Sequence, residues 1–312
     1  MGTSFTIVLY APDEAAATRA FAAAFARIKQ LDETLSDYRD ESELSQLSAA
    51  APTPKPVKLS DDLFRVLQRA QEISELSGGA FDITVGPLTR LWRRSRRQRE
   101  LPTDERLQAA LAATGRQHLV IDAKQQTAQL RRPNMRLDLG GIGQGFAADE
   151  ALSTLRQFGI TQALVNASGD LAIGDPPPGE IGWKVGIAPL EKDAPPSRFL
   201  TLANTGISTS GDLFQFVEIG GQRYSHIVHP QTGLGLTQRM SVTLIASNGT
   251  TADAWATAFC VLGPDRALAI CRQQPSLATL FVIQQPTTTA VRTLESANWP
   301  RDREFKPAQS SK

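Results

Sequence analysis

The stretch LDLGGIGQGFAAD, Leu137 to Asp149, places four glycines within six positions, between an alternating apolar run and a helix-forming segment. Its reading decides between a doubly wound nucleotide fold and something else. The dinucleotide fingerprint needs glycine at the first, third and sixth positions of the turn. Counted from Gly141 the third is Gly143, but the sixth is Phe146; counted from Gly140 the third is Ile142. No Gly-Lys-Ser/Thr follows, so the stretch is not a P-loop. What remains is a strand running into residues without side-chain bulk and then into a helix N-terminus. Backbone N–H and carbonyl groups can approach a ligand closely there. A tight strand-to-helix junction would use the same glycines. Asp138 is the odd residue: it would repel a phosphate unless it faces elsewhere or helps hold a cation.

Working outward, "NMRLDL" before Leu139 alternates as a half-buried strand does, and Phe146 to Phe158 reads as a helix. Phe21, Phe25, Ile28, Leu31 and Leu35 recur at helical spacing after Pro12-Asp13. Ser60 and Thr103 read as helix N-caps, and Gly78-Gly79 and Gly115 as helix stops. Strand-like pieces follow: QALVNASGDLAIG, WKVGIAP, RFLTLAN, FQFVEIGGQRYSHIVHP with a hairpin turn at Gly220-Gly221, and MSVTLIAS. Thr250 to Leu262 is helical, and LATLFVI closes as a strand. Helices and strands mix without strict alternation. That predicts an α+β fold, with mixed, largely antiparallel sheets packed with helices in one compact body. The expected body spans residues 1–305, with a disordered tail at 306–312.

Hydrophobic residues make up 41% of the 312 positions and charged residues 21%, as in ordinary globular proteins. A net charge of +1 gives no global case for nucleic acid. No apolar run approaches the roughly 20 residues of a membrane helix. Cys260 and Cys271 sit in apolar helical patterns and read as buried thiols.

Four further features carry chemistry. Asp253, Ala256 and Thr257 share one helix face, and an acid plus a hydroxyl among small residues suit an oxygen-ligated cation such as Mg²⁺. The blander alternative is a first-turn charge and a back-bonded threonine. In YSHIVHPQTG, His226 and Val228 share a strand face and His229 points away. His226 is either a general base or a structural histidine. Asp82, in GGAFDITV, follows a helix stop and precedes a strand-like ITV, as a turn aspartate would. Six arginines lie between Arg90 and Arg99. They read as a solvated face or an anion-binding surface.

In order, these pieces resemble the FAD:protein FMN transferases, the ApbE family. The matching segments are Met1-Gly2-Thr3, Ser36 to Tyr38, Gly79 to Asp82 with Gly86-Pro87-Leu88 and Trp92, and Asp138 to Gly145. Thr209 to Asp212, His226 to Gly233, and Ala252 to Ala258 before Val261-Leu262-Gly263 complete the set. The resemblance implies Mg²⁺-dependent transfer of FMN from FAD to a Ser or Thr hydroxyl of an acceptor flavoprotein, with release of AMP. It implies Asp253 and Thr257 as side-chain metal ligands, the Gly141 carbonyl as a third, and Ala256 at a further ligand position. Met1, Tyr38, Ala80, Phe81, Asp82, Asp138, Gln144 and Val228 fall at the flavin-nucleotide contacts, and His226 at the base. Gln144 stands where the family commonly has Lys, Ser48 where it has Asn, and His229 where it has Asp. Two other readings stay open. One is an FAD pyrophosphatase giving FMN and AMP; the other is a non-catalytic flavin-binding protein. No nucleic-acid partner and no transmembrane segment are expected. Location is left open: the resemblance suggests the periplasm or the outer face of the inner membrane, and the cytoplasm follows if Met1 is the true start.

Overall fold

A computed structural model describes residues 3–190, 194–196, 198–213, 215–285 and 290–301. Met1 and the expected tail at 306–312 lie outside the described residues. The chain opens with β1 (Phe5–Leu9), α1 (Glu14–Leu35), α2 (Glu43–Ala49), β2 (Val57–Lys58) and α3 (Asp61–Leu76). It continues through α4 (Gly86–Gln98), α5 (Asp104–Ala112), β3 (Leu119–Asp122), β4 (Thr127–Leu130) and α6 (Gly143–Gln157). Then come β5 (Ala163–Ala167), β6 (Asp170–Ile173), β7 (Trp183–Ile187), β8 (Arg198–Leu202) and β9 (Thr205–Gly211). The hairpin β10 (Phe216–Ile219) and β11 (Gln222–Ser225) precedes β12 (Met240–Ala246), α7 (Gly249–Gln273), β13 (Ala278–Gln284) and β14 (Val291–Glu295).

Seven strands form one sheet in the order β1-β5-β6-β9-β12-β13-β14. Every neighbouring pair in it is antiparallel. The α+β expectation holds. β12 is an interior strand buried along its whole length, which its apolar MSVTLIA sequence permits. Helices α6 and α7 pack on one face of the sheet, with α1 against α6. The β7–β8 hairpin covers part of the other face through Trp183, Val185, Leu200 and Leu202. No helix among the described residues is long and apolar enough to cross a membrane.

Local chemistry sets the helix boundaries as expected at Ser60 and Thr103, whose hydroxyls accept from Leu63 N and Arg106 N. In α1 the buried stripe is Ala20, Ala24, Ile28, Leu31 and Leu35 rather than one built on Phe25, which is 44% exposed. Small alanines let α6 come close; the phenylalanine faces out.

Several expectations need correction. "NMRLDL" is extended but is not a strand: it makes one bridge, Arg136 to Val85. No strand lies beside it to continue the ladder, so its N–H groups go to isolated acceptors: Leu137 N to Ser48 Oγ and Asp138 N to Ile83 O. The ITV after Asp82 is likewise a turn, because Asp82 Oδ1 accepts from both Thr84 N and Thr84 Oγ1. β11 ends at Ser225, so His226 and Val228 lie on a bend beyond the strand, not on one strand face. α7 runs past Leu262 to Gln273 but leaves helical geometry at Gly263, just before Pro264. Strands β2 to β4, β9 and β14, and helix α2, were not legible.

The helix after the glycine loop begins at Gly143, three residues before Phe146. Its N-cap residue Ile142 has no capping oxygen, and α7 supplies one: Asp253 Oδ2 accepts from Gly145 N at 3.0 Å. Asp149 of α6 returns the favour, accepting from Gly249 N and Thr250 N at 2.8 Å each. The two helix N-termini are thus capped reciprocally. They cross so closely that a Cβ at Gly145 would lie 2.2 Å from Gly249 O.

Candidate functional site

One cleft of about 740 Å³ opens where the α3–α4 junction, α4, the Leu137–Gly145 stretch, α7 and the bend after β11 meet. It is lined by Tyr38, Ala80, Phe81, Asp82, Asp138, Gly141, Gln144, His226, Val228 and Thr257. Residues spread over more than 200 positions of sequence therefore share one wall. Asp253 and Ala256 stand behind it, 3% and 0% exposed. Between Gly249 and Cys260 only Thr257 is not buried, and it lines the cleft together with Val261 one turn further along α7.

Gly141 lies against Thr257. A Cβ added there would come within 2.8 Å of Thr257 Oγ1, so the bare backbone keeps the space beside the hydroxyl open. Thr257 Oγ1 also sits 3.3 Å from Ser210 Oγ on β9. Behind it, burial pushes the Asp253 carboxyl well up, and the carboxylates of Asp170 and Asp149 push it further. Burial also raises Asp170 and Asp149 themselves. None of the three is ion-paired to a Lys or Arg among the described residues. No three of His, Cys, Asp and Glu converge into a metal cluster among the described residues. The oxygens on offer are instead a carboxylate, a hydroxyl and a bare peptide. That donor set, beside three buried carboxyls without a Lys or Arg partner among the described residues, fits a hard divalent cation such as Mg²⁺, which would favour their ionised form.

Asp138, the anomaly of the glycine stretch, turns toward α4. Its Oδ2 accepts from Thr89 Oγ1 at 2.6 Å and from Arg93 Nη2 at 3.2 Å, and its Oδ1 from Gly140 N at 2.8 Å. Arg93 Nη1 also donates to Asp37 Oδ2 at 2.6 Å, and its guanidinium lies 4.3 Å from the centre of the Tyr38 ring. Burial and the nearby Asp138 raise the Asp37 carboxyl, while Arg93 pulls it down. Asp37 and Arg93 escape the sequence reading. Asp37 shows no periodicity, and Arg93 looks like one more member of an arginine run.

Asp82 is committed locally: Oδ1 to Thr84, and Oδ2 to Arg116 N at 3.1 Å. It thereby ties the α3–α4 junction to the turn after α5. Gln144 lies in the first turn of α6 and faces the cleft. Ser48 is buried and supports the Asp138 segment through Leu137 N at 3.1 Å.

His226 borders the cleft on the side opposite the sheet helices. Its Nδ1 lies 3.0 Å from Gln215 O, and a carbonyl can only accept, so Nδ1 carries the proton and Nε2 keeps its lone pair. The ring is exposed at the cleft mouth, and the walls around it lower its pKa below the ordinary value, with Arg96 lowering it further. His229 is held in its own turn, its Nδ1 accepting from Gln231 N at 3.2 Å. Trp92 fixes α4 to the same turn, donating from Nε1 to Gly233 O at 2.7 Å.

Known proteins resemble this chain over most of its length. The ApbE family matches residues 1–281. A protein of Klebsiella pneumoniae (strain 342) named FAD:protein FMN transferase is 33% identical over 295 residues, covering 91% of this chain and 83% of the relative. One of Escherichia coli (strain K12) with the same name is 34% identical over 261 residues, covering 81% and 74%. Among solved structures, the flavin transferase ApbE from Vibrio cholerae superposes with a TM-score of 0.84 at 28% identity, covering 96% of this chain and 95% of that one. The apo flavinyl transferase ApbE of Pseudomonas stutzeri gives 0.83 at 30% identity, covering 96% and 92%.

Proposed function

The chain belongs to the ApbE family, and from that premise we propose that it is an FAD:protein FMN transferase using the cleft between α4 and α7. FAD is the donor and a protein hydroxyl the acceptor. The finer reading is that the acceptor group is a Ser or Thr side chain and that Mg²⁺ assists.

The observation that carries this reading is that one cleft is bordered by a histidine with a free Nε2 and by the Thr257 hydroxyl, with the Asp253 carboxyl buried behind it. His226 Nε2 takes the proton of the acceptor hydroxyl. The acceptor oxygen then bonds to the flavin-side phosphorus, the pyrophosphate P–O bond breaks, and AMP leaves with its bridging oxygen. Gln215 holds the imidazole in the tautomer this needs. Tyr38, Asp138 and Gln144 orient the nucleotide. Asp253, Thr257 and the Gly141 carbonyl would hold the metal, which when bound neutralises developing phosphate charge. The reaction then rests mainly on positioning and charge.

The test is incubation with FAD, Mg²⁺ and an acceptor domain that a known transferase flavinylates. Covalent flavin on the acceptor and stoichiometric AMP are expected. AMP released at full rate without acceptor would indicate a pyrophosphatase. Tightly held, intact FAD would indicate a binding protein.

A further inference from the structure

Helix α4 carries its arginines on two different faces. At about 100° per residue, Thr89, Arg93 and Arg96 share one side, and Arg90, Arg94 and Arg97 another. The first set points into the cleft, where Arg93 and Arg96 are part of the lining. The second set is exposed. Leu88, Trp92 and Ser95 form the buried side that fixes the helix.

The exposed set is spaced i, i+4, i+7 and covers roughly 10 Å of helix length. Helix α4, GPLTRLWRRSRRQ, contains no Asp or Glu. None of Arg90, Arg94 and Arg97 meets a carboxylate among the described residues; Arg94 donates only to Gln98 Oε1, at 2.8 Å. Elsewhere Arg27, Arg39, Arg65, Arg69, Arg198 and Arg223 each reach a carboxylate, and the other unpaired arginines do not line up as three on one face of a single helix with no acid. With a net charge of only +1 for the chain, this unpaired strip is a local concentration of positive charge. It adjoins the reaction site. Arg96 Nη1 donates to Gln215 Oε1 at 3.1 Å, and the carbonyl of Gln215 holds His226.

An enzyme that modifies a protein must bring a large surface to the cleft mouth. We propose that the Arg90–Arg94–Arg97 face of α4 is a docking surface for an acidic segment of the acceptor protein, next to the hydroxyl presented to His226. This rests on the transferase reading above. Three guanidiniums in a row match carboxylates in planar, paired geometry and steer approach in a salt-dependent way. The acceptor class that fits is one whose modified hydroxyl is flanked by Asp or Glu.

The experiment uses the full chain and a fluorescein-labelled decaglutamate peptide, read by anisotropy at 20 and 300 mM NaCl. Wild type is expected to bind at low salt and to lose most of its affinity at high salt. Arg90→Gln/Arg94→Gln/Arg97→Gln is expected to weaken binding at least tenfold, and the corresponding triple Glu variant to abolish it. Flavin fluorescence titration keeps the two readings apart, since the substituted residues do not line the cleft. Wild type that binds FAD but not the peptide overturns the docking surface alone. Wild type that binds the peptide but neither binds nor cleaves FAD overturns the transferase reading alone. Undiminished peptide binding by the Gln variant overturns the proposal, as does tighter binding of an oligouridylate of equal charge than of the peptide.

Discussion

The guanidinium of Arg93 lies over the ring of Tyr38, 4.3 Å from its centre. The same group bridges Asp37 and Asp138, so one side chain orders three residues of the cleft wall. Arg93→Met keeps the apolar stem and removes the guanidinium with its charge. It frees Tyr38 and leaves two carboxyls facing each other. FAD affinity is expected to fall about tenfold, equal to about 1.4 kcal/mol, with turnover of bound FAD within a fewfold of wild type. Arg93→Lys should recover only part, because an ammonium cannot bridge and stack at once. Flavin fluorescence titration beside single-turnover rates reads both quantities. Unchanged FAD affinity in Arg93→Met would remove the residue from the binding wall.

Two glycines of the opening stretch should respond differently to alanine. In Gly145→Ala the new methyl meets the backbone of Gly249, which cannot rotate away. A loss of at least about 1–3 kcal/mol in urea unfolding is expected. In Gly141→Ala the methyl meets a threonine hydroxyl and the edge of Phe81, both side chains. Stability should change little, while metal-dependent turnover falls at least tenfold. Equal destabilisation by both would contradict the geometry.

Asp253→Asn keeps an oxygen for the Gly145 N–H but removes the charge. The folded carboxyl has a raised pKa, so the wild-type apo protein loses stability as pH rises from the unfolded value near 4 through the folded one. The Asn variant lacks that loss and should melt at or above the wild-type temperature at pH 7. Adding Mg²⁺ should raise the wild-type melting temperature and leave the variant's unmoved. Chelation by EDTA should silence wild-type transfer, and the variant should be silent throughout. A variant with wild-type turnover would exclude this carboxylate as a ligand.

His226 has a pKa lowered from about 6.5, so it stays neutral into mildly acid solution. The acid limb of the transfer rate should therefore fall below pH 6.5 and disappear in His226→Ala. That variant should transfer some 10²–10⁴ times more slowly while binding FAD within about twofold of wild type. The stability sign follows as well. Below about 6.5 the unfolded chain holds more protons than the folded one, so stability falls as pH drops through the folded pKa. Above that range the residue contributes no pH dependence.

Caps and stops were legible because their chemistry is local: Ser60, Thr103 and Gly220-Gly221 act on neighbours in sequence. That Asp253 and Thr257 lie one turn apart on the same helix followed from helical spacing alone. What failed was whatever distant chain segments decide. Alternation at Met135–Leu139 resembled a strand, but a ladder needs a neighbour, and only one bridge forms. The start of α6 at Gly143 was hidden because its cap comes from more than 100 positions away. Asp138 looked anomalous because Arg93, its partner, is 45 positions distant.

The reciprocal caps of α6 and α7 have a dynamic consequence. Unwinding either helix as far as its aspartate, Asp149 of α6 or Asp253 of α7, strips the other helix start of an acceptor, so the two should open as one cooperative unit. In native-state hydrogen exchange the amides of Gly145 and Thr250, on separate helices, should report the same opening free energy. The corner that presents Thr257 to the cleft would then have no soft mode of its own, and its geometry would persist until the helix pair unlocks as a whole.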